Sequence, residues 1–583
     1  MTTHPSNMAS VYRPKNDVRF ITATSLFDGH DAAINIMRRL LQGTGAEVIH
    51  LGHNCSVEQI VTAAIQEGVQ GIAVSSYQGG HMEFFRYMVD SLEARGCGHI
   101  QIFGGGGGTI IPEEIKELQA YGVARLYDPE DGRRMGLQGM INEMVERCDH
   151  SMLDFVPESM EGLSPQDWNR LAQAITLAEY RAQGLVEPER YAALVRPILE
   201  KGAQRQVPII GFTGTGGAGK SSLVDELLHR YQEDCPDHQI AILSVDPTKR
   251  KTGGALLGDR IRMNAVYSGN VFLRSLATRG SGKEISAALG EAIALCKGAG
   301  FDLLIAETSG IGQADASIVE LVNHSVYVMT PEFGAQTQLE KIDMIDLADL
   351  VVVNKFDKAG ALDALRDVRK AYQRAHERFH DDLESMPVFA TISSQFNDFG
   401  VNAVYAKLLE FINTLQAESL SGSVLRKAGL PERHHIIAPK RVRYLGEVAD
   451  CVRHYKQSAH VRGDAMGRLW ALRTSIAHLL GDASRVSLEP FDELAVSGQS
   501  VVLAGLMQAF NELHNGTTAE DLELVGCWPS IERQYRSERT TYEVRGRTIE
   551  VENTRESLSR KLIPKVALSR ENSCRIKTEK FTN

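Results

Sequence analysis

The sequence predicts an α/β chain built on two doubly wound parallel sheets, with helical segments between and after them. Three observations predict it. Short apolar runs alternate with amphipathic segments from Asp17 to about Cys148. A second series of the same kind starts at VPIIGFTGTGG and runs to about Leu415. The helical patterns that separate and follow the two series show no further strand–helix alternation.

In chain order, the first series reads VRFITAT, AAINIMRRLLQ, EVIHLG, VEQIVTAAIQ, GIAVSS, MEFFRYMVDSL, IQIFGG, IPEEIKELQAYG, ARLYD and GLQGMINEMVE. Five strands, each followed by a helix, imply a flavodoxin-like sheet in a first domain, residues 1–149. Residues 150–206 read as a helical linker, with Ser164 as N-cap and Pro165 at the first helical position of SPQDWNRLAQAITLAEYRAQ. Residues 207–416 form the second domain, with strands near VPIIGFTG, AILSVD, DLLIAET, HSVYVMT, DLVVVNK and PVFATIS. Residues 417–583 read as mostly helical, closing with a hairpin in TTYEVRGRTIEVEN around Arg545 and Gly546.

The length of 583 residues calls for three or more separately packed cores, and 43% apolar with 23% charged residues is an ordinary globular balance. A net charge of −11 repels polyphosphate chains, which argues against a nucleic-acid partner and requires that any bound anion be held by local groups. Eight cysteines without a CxxC pair fit neither a disulfide framework nor a zinc site, and they read as reduced and mostly buried. The N-terminus lacks a signal-peptide core and no stretch approaches the ~18 apolar residues of a membrane span, so a cytoplasmic protein is expected.

The run Gly214-Thr-Gly-Gly-Ala-Gly-Lys-Ser221 follows an apolar strand and opens a helix, the context of a Walker A loop. Gly217, Ala218 and Gly219 let backbone amides cradle phosphate, Lys220 reaches the β and γ phosphates, and Ser221, followed by Ser222, offers a hydroxyl to Mg²⁺. Downstream, Asn354-Lys355-Phe356-Asp357 follows the run LVVV. A carboxylate there accepts both the N1 and N2 donors of guanine, a pair that adenine lacks. Ser393 and Ser394 stand where a loop would close over the base.

Strand-end carboxylates between these anchors suit Mg²⁺: Asp246 after AILSV, Asp259 in GGALLGDRIRM, and Glu307 in LLIAETSG. Taken alone, Asp246 reads equally well as a helix N-cap. Arg262 is placed either on a phosphate or in a solvated salt bridge with Asp259. Ile311 follows Gly310 where Ras-like enzymes carry a water-orienting glutamine, and Gln313 is out of register. Slow hydrolysis, accelerated by a partner or neighbouring domain, is therefore expected.

In the first domain, Asp28-Gly29-His30 follows strand one, Ser75-Ser76 ends strand three, and Gly104 to Gly108, including Gly106 and Gly107, follows strand four. These loops converge at the carboxyl edge of such a sheet, where ligands bind. Asp28 can take the Nδ1 proton of His30, which frees Nε2 for a metal.

The run FDGHDAAINIMRR, with VSSYQGGH, FGGGGGTIIP and YDPEDG, resembles the cobalamin-binding domain of adenosylcobalamin-dependent acyl-CoA mutases. The resemblance implies that His30 is the lower cobalt ligand, Asp28 its partner, and Ser75 and the glycines the lining of the nucleotide tail; Ala33 stands where the motif has glycine. GTGGAGKSSL, SVDPTKRKTGGALLGDRIRM and AETSGIGQAD resemble the GTPase chaperones that load and protect those mutases. In this order the two resemble the fused isobutyryl-CoA mutase family, to about residue 569. The resemblance implies Glu307 and Thr308 at the Mg²⁺ site, GTP hydrolysis that gates cobalamin delivery, and radical carbon-skeleton rearrangement of an acyl-CoA. It also implies a homodimer and a cobalamin-delivering adenosyltransferase as partner. The family's substrate barrel, which takes ~250 residues, is absent, so the chain is expected to need a mutase barrel domain or subunit to isomerise anything. The rival expectation is a cobalamin carrier or sensor in which the GTPase is the only enzyme.

Overall fold

The computed structural model describes residues 10–565 except 250, 280–284, 309, 311–316, 335–338, 341, 416–419, 421–426, 433–440, 442, 482–486, 545–546 and 558–559. It divides into two compact units, Met1–His434 and His435–Asn583. Both expected parallel sheets lie in the first unit. Among the described residues, no helix is long and apolar enough to cross a membrane.

The first sheet is built from β1 (Arg19–Ser25), β2 (Glu47–Cys55), β3 (Gly71–Ser75), β4 (Gln101–Gly105) and β5 (Arg125–Tyr127). Helices α1 (Asp31–Thr44), α2 (Val57–Glu67), α3 (His81–Ala94), α4 (Pro112–Tyr121) and α5 (Pro129–Cys148) follow them in turn. Adjacent strand residues point to opposite faces, so Ile21, Ile49 and Ile72 pack with Ile60 and Phe85 on one side. Phe20, Val48 and Phe103 meet Ile141 and Val145 on the other. The order β5-β4-β3-β1-β2 reverses direction between β1 and β3, which sets the loops after those strands side by side.

Helices α6 (Trp168–Ala182) and α7 (Pro188–Ala203) come next. The expected cap, Ser164, is displaced: its carbonyl accepts Asp167 N at 3.1 Å in a preceding turn, and the Asp167 side chain caps α6 by accepting Arg170 N at 3.4 Å. Pro165 favours the second position of a β-turn that begins at Ser164, so the helix starts later than the Ser-Pro pair suggests. Leu171, Ile175, Val195 and Ile198 of these helices share one apolar cluster with Ile209, Phe272 and Leu304 of the second sheet.

That sheet contains β6 (Ile209–Gly214), β7 (Ile240–Asp246), β9 (Val271–Ala277), β10 (Leu303–Glu307), β11 (His324–Met329), β12 (Leu350–Val353) and β13 (Val388–Ala390). All pair in parallel, in the order β13-β12-β11-β6-β10-β7-β9. Helix α8 (Lys220–Asp234) follows β6, and α9 (Leu289–Ala299) precedes β10. Strand β8 (Ala255–Leu257), between β7 and β9 in the chain, leaves this sheet and pairs parallel with β2 as the sixth strand of the first. Sequence reading marked neither β8 nor β9.

A buried ion network joins the same parts. Arg19 on β1 reaches Glu47 at 2.7 Å and Glu179 of α6 at 3.2 Å. Glu179 also takes Arg274 of β9 at 2.6 Å, and Arg279 just beyond β9 reaches Glu47 at 2.7 Å. Burial alone would raise the carboxyl of Glu47, but Arg279 and Arg19 outweigh it and hold it well below the usual range.

In the second unit, helix Tyr444–Leu479 packs with Val501–Asn515 and Ala519–Arg536 around Met466, Leu469, Ile476, Met507 and Phe510. Arg462 anchors Asp521 at 2.6 Å. The expected hairpin pairs Arg539–Val544 with Arg547–Glu552; Arg545 and Gly546 at its turn lie outside the described residues. Among the described residues five cysteines are buried, whereas Cys451 and Cys527 are exposed.

Candidate functional site

The loop between β6 and α8 carries the Walker A residues at the carboxyl edge of the second sheet. Its backbone demands glycine at two points. Gly214 has φ 143°, and a Cβ there would lie 1.9 Å from the Val328 carbonyl; Gly219, the N-cap of α8, has φ 94°, and a Cβ would meet the Asn354 amide at 2.4 Å. Gly217, also at positive φ (75°), has open space around it. Ala218 is buried. Lys220 and Ser221 open α8, so their backbone N–H groups belong to the unpaired first turn that attracts anions. Ser222 is half-buried on the same turn. Lys220 Nζ donates to the Gly214 carbonyl at 3.2 Å.

Around Ser221 the sheet gathers carboxylates. Its hydroxyl lies 2.8 Å from Glu307 Oε1 and 3.1 Å from Asp259 Oδ1. Asp259 also accepts from Ser244 Oγ at 2.5 Å, and Asp246 accepts Gly258 N at 3.1 Å. The Asp246 carboxyl is pushed up to about 8, first by burial and then by the charge of Asp259. Glu307 is pushed up to about 8 by burial and by Asp259, against the pull of Lys220. Glu307 Oε2 is buried with no hydrogen-bond partner. Three acids crowd one lysine here, an excess of negative charge and an orphaned oxygen that a divalent cation would relieve. Among the described residues, no group of three or more His, Cys, Asp or Glu forms a ready-made cation nest. Thr308 is buried and donates to Thr213 Oγ1 at 2.9 Å. Of the two placements open for Arg262, the structure holds the salt bridge with Asp259, at 3.2 Å. Ile311 and Gln313 lie outside the described residues.

The second anchor is strapped to the first. Asn354 at the end of β12 donates to the Ala218 carbonyl at 2.8 Å, and Lys355 Nζ to the Gly217 carbonyl at 2.7 Å. The Asn354 side-chain oxygen accepts from Thr391 Oγ1, Ser393 N and Ser393 Oγ at 3.0, 3.1 and 3.0 Å. Phe356 is half-buried against the apolar cluster under β12, and Asp357 is exposed. Buried Asn354 therefore ties the P-loop, the Asn354–Asp357 turn and the Ser393 loop into one frame.

In the first domain, Asp28 and His30 sit in the loop after β1. Buried Asp28 accepts His30 N at 2.9 Å and His30 Nδ1 at 2.8 Å with one oxygen, and Tyr77 N at 2.6 Å with the other. Burial would raise its carboxyl, but these donors prevail and lower it. The His30 imidazole is 75% exposed, with Nδ1 committed to Asp28 at 2.8 Å. Its ring lies 5.3 Å from that of Tyr77. Beside it a cavity of about 390 Å³ is lined by Ala33, Met37, Ser75, Phe103, Gly106, Gly107 and Met140. The glycines are required there. A Cβ on Gly106 would lie 1.9 Å from the Ser76 carbonyl, and one on Gly107, at φ 57°, would strike the Tyr77 ring at 2.9 Å. A half-open apolar slot next to an oriented, exposed imidazole fits a large planar cofactor ligated by histidine.

Ser244, Thr391 and Tyr77 were not singled out from sequence. Tyr77 acts through its backbone amide, which carries no residue-type signal, and Ser244 and Thr391 sit inside apolar strand runs that read only as core.

Family models match both domains. Residues 18–130 match the B12 binding domain family, and residues 171–439 match the methylmalonyl Co-A mutase-associated GTPase MeaB family. The fused isobutyryl-CoA mutase of Geobacillus kaustophilus is 52% identical over 564 residues, 96% of this chain and 50% of its own length. Those of Cupriavidus metallidurans and Nocardia farcinica are 49% and 46% identical over 96% of this chain, covering 49% and 50% of their own lengths. The chain thus spans about half the length of the curated relatives it matches. It is a homologue of the fused isobutyryl-CoA mutases that joins a B12-binding domain to a MeaB-type GTPase domain.

Proposed function

We propose that the chain hydrolyses GTP with Mg²⁺ in its second domain and binds adenosylcobalamin through His30 in its first, serving an acyl-CoA mutase of the isobutyryl-CoA to n-butyryl-CoA type. One observation carries the nucleotide reading: Ser221, Asp259 and Glu307 meet within hydrogen-bond reach beside Lys220, with Glu307 Oε2 left unpartnered. Ser221, Asp259 and Glu307, with Asp246 behind them, would hold the cation directly or through water. Bound Mg²⁺ supplies neutralisation of the charge on the transferring phosphoryl oxygens. Lys220 exchanges the Gly214 carbonyl for the β and γ phosphates, while the loop amides and the α8 N-terminus take the remaining charge. Asp357 selects guanine by accepting its paired N1 and N2 donors.

In the first domain, Asp28 would fix the tautomer of His30 so that Nε2 could ligate cobalt, and Ser75 and the glycines would line the slot for the nucleotide tail. Bound adenosylcobalamin supplies radical chemistry through homolysis of its cobalt–carbon bond. Isomerisation needs a substrate barrel, as domain or subunit, and GTP hydrolysis gates loading of the cofactor from an adenosyltransferase. The working assembly is a cytoplasmic homodimer.

The test is GTP turnover by the intact chain and by Lys220→Ala, in single-turnover mode with and without a partner mutase barrel. Hydrolysis lost in the variant and faster with the barrel supports the reading. Equal rates in wild type and variant overturn the assigned site, and equal rates with and without barrel overturn the gating.

A further inference from the structure

The segment that carries Asp259 belongs to the second domain in sequence but is clamped to the first in space. On its N-terminal side, Ala255, Leu256 and Leu257 pair with Glu47, Val48 and Ile49 of β2. On its C-terminal side, Ile261 packs so close to β2 that a Cβ on Gly52 would lie 3.0 Å from its Cδ1. Between them, Arg260 turns its whole side chain inward and is 0% exposed. Its Nε donates to Glu67 Oε1 at 3.2 Å, and its Nη2 to Gln66 Oε1 at 2.8 Å and the Leu273 carbonyl at 2.6 Å. Glu67, the last residue of α2 and equally inaccessible, also accepts Ser275 N at 2.9 Å and Ser275 Oγ at 3.0 Å from β9.

Asp259 itself pairs with Ser221, Ser244 and Arg262, all of the second domain. The adjacent residue makes the connection. A buried guanidinium held by a buried carboxylate cannot leave without stranding a charge, so Arg260 has one position, and the Asp259 backbone follows it. We propose that Glu67 is a positioning residue of the nucleotide site: acting through Arg260, it fixes Asp259, so affinity for magnesium-bound nucleotide depends on a residue of the other domain. This rests on the GTP reading above.

The ion pairs of Arg19, Glu47, Glu179, Arg274 and Arg279 join the domains through carboxylates other than that of Glu67, which meets the network through its backbone carbonyl, 3.0 Å from Arg19 Nη1. Glu67→Gln therefore leaves the domains joined while weakening the hold on Arg260 and setting an amide N–H against Ser275 N–H. The experiment titrates GMPPNP into the intact chain by calorimetry, over a Mg²⁺ series and in EDTA, for wild type, Glu67→Gln and Asp17→Asn. Asp17, which pairs with Arg279 at 3.2 Å, is the control for domain packing in general. Glu67→Gln is expected to raise the Mg²⁺ concentration for half-maximal tightening by about 10-fold, the scale of lost outer-shell support. Its affinity in EDTA and the whole behaviour of Asp17→Asn are expected to match wild type.

A wild-type Mg²⁺ dependence in Glu67→Gln, or an equal shift in Asp17→Asn, overturns the proposal. If wild type binds no GMPPNP, it is the GTP reading that fails. Should Glu67→Gln not fold, hydrogen exchange on wild type decides. Amides of residues 255–262 protected like those of β1, and further protected by Mg²⁺ with GMPPNP, support the proposal, and fast exchange there overturns it.

Discussion

Asp246 and Glu307 are acids held largely neutral by their surroundings, each pushed up to about 8 by burial and by the charge of Asp259. Because the folded protein holds these protons more tightly than the unfolded chain, their contribution to stability is full below the ordinary carboxylate range. It is lost as pH rises toward about 8, where both titrate. Without Mg²⁺, the thermal midpoint should fall between pH 5 and pH 8.5. With Mg²⁺ and GDP it should flatten, since the cation binds the ionised acids. Differential scanning calorimetry at several pH values checks this, and a midpoint independent of both pH and Mg²⁺ would contradict the crowding of acids. At the base, Asp357→Ala should lose guanine affinity by up to ~10⁴-fold while leaving adenine nucleotide binding unchanged, read by calorimetry with GDP and ADP.

At the scale of elements, the motifs legible in sequence were those that act locally. The glycines of the P-loop, the Asn354–Asp357 turn and the Asp28–His30 pair announce their chemistry by residue type at fixed spacing. The elements that hold them in place were less legible. Strand β8 is three residues long and pairs with a strand some 200 positions earlier, so no local periodicity marks it. Arg260 and Arg262 look alike in sequence as surface charges, yet Arg260 is wholly buried and Arg262 is exposed. Only long-range packing distinguishes them. The late start of α6 has the same lesson in miniature, because Ser-Pro serves a turn as well as a cap. Gly106→Ala should displace the glycine loop that lines the slot beside His30, given the 1.9 Å approach of its Cβ to the Ser76 carbonyl. Cobalamin retention after gel filtration should drop at least about 10-fold, the scale of a lost cofactor contact set, with the far-ultraviolet spectrum unchanged.

For the molecule as a whole, the alternation of strands and helices foretold two sheets but not that the second series lends β8 to the first sheet, nor that the two share buried charges. Glu179 stands at the centre, between Arg19, Arg274 and Arg279. Glu179→Ala should cost about 3–5 kcal/mol in urea unfolding, because it leaves buried guanidinium groups unpaired. The loss should appear as one cooperative shift of the first unit; separate transitions for the two sheets would show that they are not welded.

The proposed function places one ligand at the carboxyl edge of each sheet. The measurement that tests it most directly uses a single sample of the intact chain, titrated with adenosylcobalamin while the corrin spectrum is recorded, then with GDP against ADP in Mg²⁺. The account predicts a base-off, histidine-ligated spectrum that His30→Ala abolishes, and a guanine preference of at least ~10²-fold. A base-on spectrum in the wild type, or equal affinity for the two nucleotides, would contradict it.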